Sequence, residues 1–406
     1  MNWWHRYSMA AEPTLDIIAP GRKAGAWTIS ALFAGESFLR ALNVSVIPIQ
    51  AYDLLGSSQK VSIVATAVSF CVLLTTLTLP YLFRGLRRRW VYSIGIVLVM
   101  LAAMIFAANL VAGQVMATYF RNVGASILNI TLALYIMDNI AKPDLTKVEP
   151  MRMTIATASW VAGPAIGTWL YANYGSIVPQ VAVVLAGLAH LAGFWVFRLR
   201  EPQMLPTGTL AGFNPLANAM DFIRQPRLRL AWAIAFGRSS FWSALFIYGP
   251  LLMIEGGLPK STAGFIISAS QLTLPLSFFF GLLAREHGVR LVIALCFAFM
   301  AVFAILAGLL GTQHVYLAVA CLLLTAVCAS GLDGVGGITF YRAVKARDRQ
   351  RMTSVYRTFF ECSELLPGFL FMGLLLFFNV GIVFIVIAVL GGFLALISWK
   401  YLPKSM

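Results

Sequence analysis

Charged residues are scarce in this chain. They make up 11% of its 406 residues, and only fifteen acidic residues stand against thirty basic ones. Hydrophobic residues reach 60%, a fraction above that of soluble globular domains. The shortage of charge excludes a soluble globular protein and predicts an all-α polytopic membrane protein, because helices satisfy their backbone hydrogen bonds inside a bilayer.

Cysteine and histidine are also few, and neither forms a metal-binding pattern. The five cysteines lie inside apolar runs without metal or disulfide spacing, and the four histidines are scattered. We therefore expect no metal and no cofactor. No G-x-x-x-x-G-K-[ST] loop occurs, which argues against a self-contained ATP-driven pump. Nothing in the sequence indicates an enzyme, and residues 1–23 lack the apolar core of a signal peptide.

Long apolar runs are the abundant feature. Twelve reach the length of about 20 residues that spans a bilayer, with approximate limits 24–48, 60–82, 90–110, 112–138, 153–174, 177–197, 229–253, 262–284, 291–311, 314–340, 353–376 and 379–400. A polar, proline-containing stretch separates six runs from six. We predict twelve transmembrane helices in two pseudo-symmetric six-helix halves. The predicted segments are an N-terminal segment 1–23, the halves 24–197 and 229–400, a middle loop 198–228 and a tail 401–406.

Basic residues concentrate in one set of connecting segments, such as 84–89 and 285–290. The opposite segments carry little beyond Lys60 and Lys260. The positive-inside rule then predicts that both termini and the middle loop are cytoplasmic, in a plasma membrane or a bacterial-type inner membrane. This distribution accounts for the net charge of +15, so we do not expect a nucleic-acid partner.

Eight ionisable residues lie inside the predicted spans. Each costs about 3 kcal/mol on the insertion scale, so the gross cost is on the order of 20 kcal/mol. Interhelical ion pairs can hold a bundle together, but the set as a whole indicates a polar path for a solute or a proton. These residues are Glu36, Arg40, Arg121, Arg238, Asp333, Arg357, Glu361 and Glu364.

Their spacing predicts several roles. Arginine keeps its proton, so Arg121 is a candidate anion site or fixed counter-charge. When the two halves are aligned, Glu36 and Arg238 occupy equivalent positions. The two residues are either a designed acid–base pair or a coincidence. Arg238 and Trp242 share a helix face, which favours cation–π contact or a stacked substrate, although plain packing of Trp242 is the alternative.

Three carboxylates are candidate proton carriers. Arg357 and Glu361 are one turn apart and could neutralise each other, which leaves Glu364 without a partner in its own helix. Glu364 is therefore a candidate. Asp333 is another, as is Glu36 if Arg40 points elsewhere, and the sequence does not rank the three.

Together these features resemble the major facilitator superfamily over the whole chain. The segment Gly281-Leu-Leu-Ala-Arg-Glu-His-Gly288-Val-Arg290 is similar to the family's cytoplasmic loop signature. The matching loop of the first half keeps Gly85 and a basic run but lacks the usual aspartate, for which Asp138 is a candidate replacement. The predicted cytoplasmic gate comprises Arg87, Arg88, Arg89, Asp138, Gly281, Gly288 and Arg290.

Further motifs resemble the proton-linked exporter branch of that superfamily. Arg121-Asn-Val-Gly124 is similar to its span-four motif, and Gly163-Pro164-Ala-Ile-Gly167 to its span-five motif. An acid in span one, here Glu36, occurs in some of its drug exporters. Pro164 is expected to bend its helix, while Gly163 and Gly167 are expected to provide a small-residue contact surface.

The resemblance implies a secondary active transporter with a central cavity and alternating access. We predict proton-coupled export of a small charged or zwitterionic organic solute, in which Glu36 and one acid of span eleven carry protons. The alternatives are organic-anion uptake or exchange through the intramembrane arginines, and a non-transporting assembly or receptor protein. The expected partners are the solute, protons and the lipid bilayer, and we expect a monomer.

Overall fold

A computed structural model describes residues 25–82, 86–139, 145–197, 215–344, 352 and 355–403, and within these ranges the fold contains helices and turns but no strand. The first half contains α1 (Ala26–Val44), α2 (Val46–Leu55), α3 (Ser58–Leu82), α4 (Arg88–Ala107), α5 (Val111–Asn139), α6 (Leu145–Tyr174) and α7 (Ile177–Phe197). The rest contains α8 (Pro215–Ile223), α9 (Pro226–Glu255), α10 (Lys260–Gln271), a 3-10 turn (Leu274–Leu276), α11 (Ser277–His287), α12 (Val289–Leu310), α13 (Val315–Ala343), α14 (Phe359–Leu374) and α15 (Gly381–Tyr401).

Each of the twelve predicted spans coincides with helical structure. In the described ranges, nine helical stretches are long and apolar enough on their own to cross a bilayer. The helices α5, α6 and α14 occupy the three remaining predicted spans without meeting that threshold. The structure is therefore consistent with the twelve-helix prediction. The boundaries of the two halves stay a prediction, since much of the middle loop lies outside the described residues.

Proline explains two departures from the predicted limits. The first span continues past residue 48 to Leu55, with a break at Ser45 between α1 and α2. Pro48 has no N–H to donate to the carbonyl of Val44, so the helix cannot pass this point with regular bonding. The eighth predicted span is likewise divided into α10 and α11 by a 3-10 turn that contains Pro275.

Each half packs around its own apolar core. In the first half α1 packs on α6 and α7, and Leu42, Tyr92 and Leu128 are almost fully buried. In the second half α12 packs on α13 and α15. Large apolar side chains also cover the outside, including Phe393 and Leu396, which are 60% and 72% exposed. Such a surface is unfavourable in water and suits contact with lipid chains.

The bundle has two chemically different ends. We call the end that carries Arg89, Arg290 and Lys400 the basic end, and the opposite end, with the turns at Gly56 and Gly257, the distal end. The principal contacts between the halves join α6 to α10 and α3 to α14. Since α10 begins at the distal end, these contacts include a closure on that side.

Small residues allow the closest helix approaches. A Cβ atom on Gly163 would meet Ala41 of α1, and one on Gly167 would collide with the carbonyl oxygen of Leu42. The predicted small-residue surface is therefore the surface with which α6 contacts α1. The helix α6 passes through Pro164 without a break in its assignment, so the predicted bend there stays a prediction.

Gly167→Ala is expected to destabilise the protein, because the new methyl group overlaps the backbone of α1. Overpacking of this kind costs about 1–3 kcal/mol. The measurement is the midpoint of thermal unfolding in detergent, followed by tryptophan fluorescence. Gly193→Ala is the matched control, because a Cβ atom there has no neighbour within 4 Å. Equal midpoints for both variants would contradict the assigned contact.

Candidate functional site

Glu36 lies at the centre of the charges in the first half. Its side chain is fully buried, and Arg40, one turn later, donates from Nη1 to its Oε1 at 3.5 Å. The charge of Arg152 on α6 also acts on this carboxylate, and the Arg152 guanidinium lies over the ring of Phe33 at 4.1 Å. Cations from two helices therefore compensate Glu36 inside the first half.

The hypothesis of a Glu36–Arg238 pair is wrong. Each residue has a partner within its own half: Arg40 for Glu36 and Asp333 for Arg238. The physical reason is the rotation of each helix about its own axis. Because of it, side chains at equivalent positions of two repeats can face the core of their own half instead of facing each other.

Arg121 joins the same group of charges from α5. Its Nη2 donates to the backbone oxygen of Arg40 at 3.1 Å, and its Nη1 donates to Asn122 Oδ1 at 3.1 Å. In the described part of the chain, no carboxylate lies within 4 Å of Arg121. Its Nε atom is buried and lacks a hydrogen-bond partner there. Arg121 is thus a fixed cation with donor capacity left for a ligand.

Glu364 approaches this group from the other half. Ser69 of α3 donates to Glu364 Oε2 at 3.2 Å, and the charges of Arg121 and Arg40 both act on the carboxylate. A carboxylate of α14 therefore lies within the electrostatic field of two arginines of the first half. The sequence could not pair Glu364 with Ser69, because 295 residues separate them.

Arg357 and Glu361 do not form a direct ion pair, although the charge of Arg357 acts on the Glu361 carboxyl. Arg357 is exposed, and no ion pair within 4 Å joins the two side chains in the structure. The reason is local geometry. The helix α14 begins only at Phe359, after a turn at Thr358, so the one-turn spacing does not lie on one regular helix.

In the second half, Asp333 is held by two donors. Arg238 of α9 forms an ion pair with its Oδ1, and Trp242 Nε1 donates to its Oδ2 at 3.0 Å. The Arg238 guanidinium lies over Phe359 at 5.7 Å, so its aromatic contact is not the predicted one with Trp242. Asp333, with both oxygens engaged, is a weaker candidate proton carrier than Glu364.

An aromatic stack connects the two groups of charges. Arg40 lies over the ring of Trp160 at 5.7 Å, and Trp160 stacks on Phe246 with centroids 5.7 Å apart. Phe246 stacks in turn on Trp242 at 5.9 Å. The stack crosses from α6 of the first half to α9 of the second. Trp160 and Phe246 were missed from the sequence, although Phe246 follows Trp242 by one helical turn.

Two of the predicted gate residues form equivalent contacts at the basic end, one in each half. Arg89 at the start of α4 lies over Trp195 near the end of α7, with 5.7 Å to the ring centroid. Arg290 at the start of α12 lies over Trp399 near the end of α15 at 4.5 Å. The same arginine–tryptophan contact therefore occurs in both halves, as the internal repeat predicts.

The other predicted gate residues take various positions. Arg87 is exposed, and Arg88 is half-buried at the start of α4. Gly281 lies in α11 with open space around it, and Gly288 separates α11 from α12 with φ 90°. Asp138 belongs to α5, but its side chain is outside the described part, so its pairing with the basic run stays a prediction.

The distal end carries a charged contact between the halves that the sequence did not predict. Lys260 Nζ of α10 donates to both carboxylate oxygens of Asp53 on α2 at 2.7 Å, and Tyr171 of α6 donates to Asp53 Oδ2 at 2.7 Å. We call these three residues the distal latch. The signal in the sequence was Lys260 itself, one of the few basic residues on that side.

The family model described as Major Facilitator Superfamily matches residues 29–275 and 255–405. The chain belongs to the major facilitator superfamily. It is thus a multi-pass membrane protein of a transporter family, as the motifs had predicted. No curated protein matches the sequence.

Solved transporter structures share the fold. A POT family transporter in complex with 5-aminolevulinic acid superposes with a TM-score of 0.74 at 12% identity, over 92% of this chain and 95% of that one. A bacterial homologue of the iron transporter ferroportin, in an inward-facing state, gives 0.69 at 16% identity over 93% and 100%. A D-xylose–proton symporter gives 0.71 at 13% over 94% and 99%. At these identities the likeness establishes the fold alone.

Weakening the distal latch is expected to shift this major facilitator protein towards distal-open conformations. Asp53→Asn removes the charge that holds Lys260, so the two halves separate more readily at that end. The measurement is the distance distribution between spin labels at Lys60→Cys and Gln313→Cys, in a background without native cysteines. We expect a new longer component in Asp53→Asn. Reversing both charges, with Asp53→Lys and Lys260→Asp, should restore the original distribution, and an unchanged distribution in Asp53→Asn would refute the latch.

The Arg238–Asp333 pair predicts non-additive effects on stability. Asp333→Asn leaves a partly buried guanidinium without its counter-charge, and Arg238→Gln does the converse to the carboxylate. Each single variant should therefore unfold at a lower temperature than the double variant, in a thermal unfolding series in detergent. Additive losses in the double variant would show that the two charges are not coupled.

Proposed function

We propose that this protein is a proton-coupled secondary transporter of a small charged or zwitterionic organic solute, and that it works as an exporter. The observation that carries the proposal is Glu364, a carboxyl group of the second half within the field of two arginines of the first half. The surroundings of a group between the halves change when the halves move. The protonation of such a group can therefore be coupled to that movement.

Two opposite couplings follow from this arrangement. A cationic group of a solute competes with a proton for Glu364, so its binding releases a proton, as an antiporter requires. An anionic group binds Arg40 and Arg121 in place of Glu364, so its binding favours the protonated carboxyl and takes up a proton. The sign of the proton change thus reports whether solute and proton travel in opposite directions or together.

The other site residues have supporting roles in this proposal. Glu36 is a second proton carrier, which exchanges protons only when α1 moves away from α6, because its side chain is fully buried. Trp160, Phe246 and Trp242 offer an apolar surface to the carbon skeleton of the solute. Arg238 and Asp333 pair with each other. A zwitterionic solute offers each of them a replacement partner, which favours such a solute over a purely apolar one.

Export is proposed from the exporter-like features of the sequence, namely Glu36 and the motif at 163–167. The basic end is proposed to face the cytoplasm of a plasma or bacterial-type inner membrane, because basic residues are retained on that side. In that orientation the distal latch closes the outer side. We propose that the protein acts as a monomer.

The test is a proton measurement on purified protein in detergent and weak buffer, with a pH-sensitive dye, as candidate solutes are added. An exporter of the proposed kind should release protons on binding. Glu364→Gln should abolish the signal and Glu36→Gln should reduce or abolish it, since neither amide carries a proton. Glu286→Gln, at an exposed position of the basic end, is the control. A signal of wild-type size in Glu364→Gln would remove that residue from the mechanism.

The second candidate function is uptake or exchange of an organic anion. It is favoured by the unused donor capacity of Arg121, whose buried Nε has no partner among the described residues. This function predicts proton uptake rather than release when a carboxylic acid binds, and loss of binding in Arg121→Gln. Binding without transport into proteoliposomes under any gradient would instead support a receptor or assembly role.

A further inference from the structure

A small basic cavity lies at the basic end, away from the charges between the halves. It has a volume of about 70 Å³ and lies where α9 begins and where α13 and α15 end; its lining includes Arg227, Thr339, Arg342, Tyr401 and Leu402. No acidic residue lines it, and neither arginine forms an ion pair within the ranges that the structure describes. We call it the basic-end pocket.

The size of the basic-end pocket suits a small ligand group. A water needs roughly 10–15 Å³ of this kind of volume, so the pocket of about 70 Å³ has room for several waters. That space accepts a compact anionic group, with the rest of its molecule outside the pocket. Two guanidinium groups whose donors have no partner among the described residues match the oxygens of a phosphate group, which arginine binds through paired hydrogen bonds.

The surroundings of the pocket are those of a membrane–water interface. Trp399 and Tyr401 at the end of α15 are 52% and 63% exposed. Arg290 lies over Trp399 at 4.5 Å, and Lys400 Nζ lies 5.4 Å from the ring centroid of Tyr401. Exposed aromatic rings beside basic residues at the end of a span are typical of the headgroup region of a bilayer.

The short helix α8 independently indicates a lipid surface at this end. Phe222 is 3% exposed and belongs to one apolar cluster with Leu228 and Phe340, which fixes α8 against the ends of α9 and α13. Met220 and Ile223 are 53% and 54% exposed. An amphipathic helix with an exposed apolar face beside basic residues lies in the plane of the membrane interface.

We propose that the basic-end pocket binds the phosphate of an anionic phospholipid headgroup. Arg227 and Arg342 donate to the phosphate oxygens, while Met220 and Ile223 contact the acyl chains of the same lipid. Basic pockets between transmembrane helices on the cytoplasmic side suit such headgroups. The bound lipid links the start of α9 to the end of α13. This role does not depend on which solute is transported.

The test is a fluorescence titration of the full chain in neutral detergent with phosphatidylglycerol, phosphatidylcholine and inorganic phosphate. We expect saturable binding of phosphatidylglycerol that weakens with salt, and at least tenfold weaker binding of phosphatidylcholine. The double variant Arg227→Gln, Arg342→Gln should bind phosphatidylglycerol about tenfold more weakly. Arg229→Gln, an exposed position on the same helix that does not line the pocket, should stay within twofold of wild type.

A second variant separates a lipid from a free anion. Ile223→Gln changes an exposed position, so it leaves the fold intact and should weaken phosphatidylglycerol binding several-fold. Inorganic phosphate at millimolar concentration should not displace the lipid. If inorganic phosphate competes fully, or if Ile223→Gln binds normally, the pocket is a free-anion site and the lipid proposal is wrong. Unchanged lipid affinity in the double arginine variant would also overturn it.

Discussion

A charge among apolar helices needs a counter-charge or a hydrogen-bond donor, because neither lipid nor packed side chains replace its water. This constraint orders the interior of the molecule. Glu36 meets Arg40, and Asp333 meets Arg238 and Trp242. The Glu36–Arg40 contact lies within α1. The contacts of Asp333 join α13 to α9, so they restrict how these two helices rotate against each other. Packing of small residues such as Gly167 fixes how closely helices approach each other.

The charges that lie between the halves have a different consequence. Glu364 accepts a hydrogen bond from Ser69 across the interface and lies within the electrostatic field of two arginines. Asp53 pairs with Lys260 at the distal end. Partners of this kind separate when the halves move, so their free energy contributes to the balance between conformations. A proton or a solute that changes one of these charges therefore changes that balance. The polar network within each half, by contrast, can move as one unit.

Much of the architecture could be predicted from the sequence because its signals are local. The length of each apolar run indicated a span, and six runs on each side of a polar middle loop indicated an internal repeat. The bias of arginine and lysine to alternate segments indicated two unlike ends. The contacts of Arg89 with Trp195 and of Arg290 with Trp399 agree with that repeat. Pro48 and Pro275 were visible in the sequence, yet the predicted limits did not include the helix breaks that they cause.

The sequence by itself determined the membrane class, the apolar spans and the set of ionisable residues within those spans, because composition and helical periodicity depend on neighbouring residues alone. Only the tertiary structure decided the partners: Asp333 rather than Glu36 for Arg238, Ser69 for Glu364, and Trp160 with Phe246 as the aromatic connection between the halves. The reason is physical. Partner choice depends on the rotation of each helix about its axis and on its distance from others, and both are set by packing over the whole bundle.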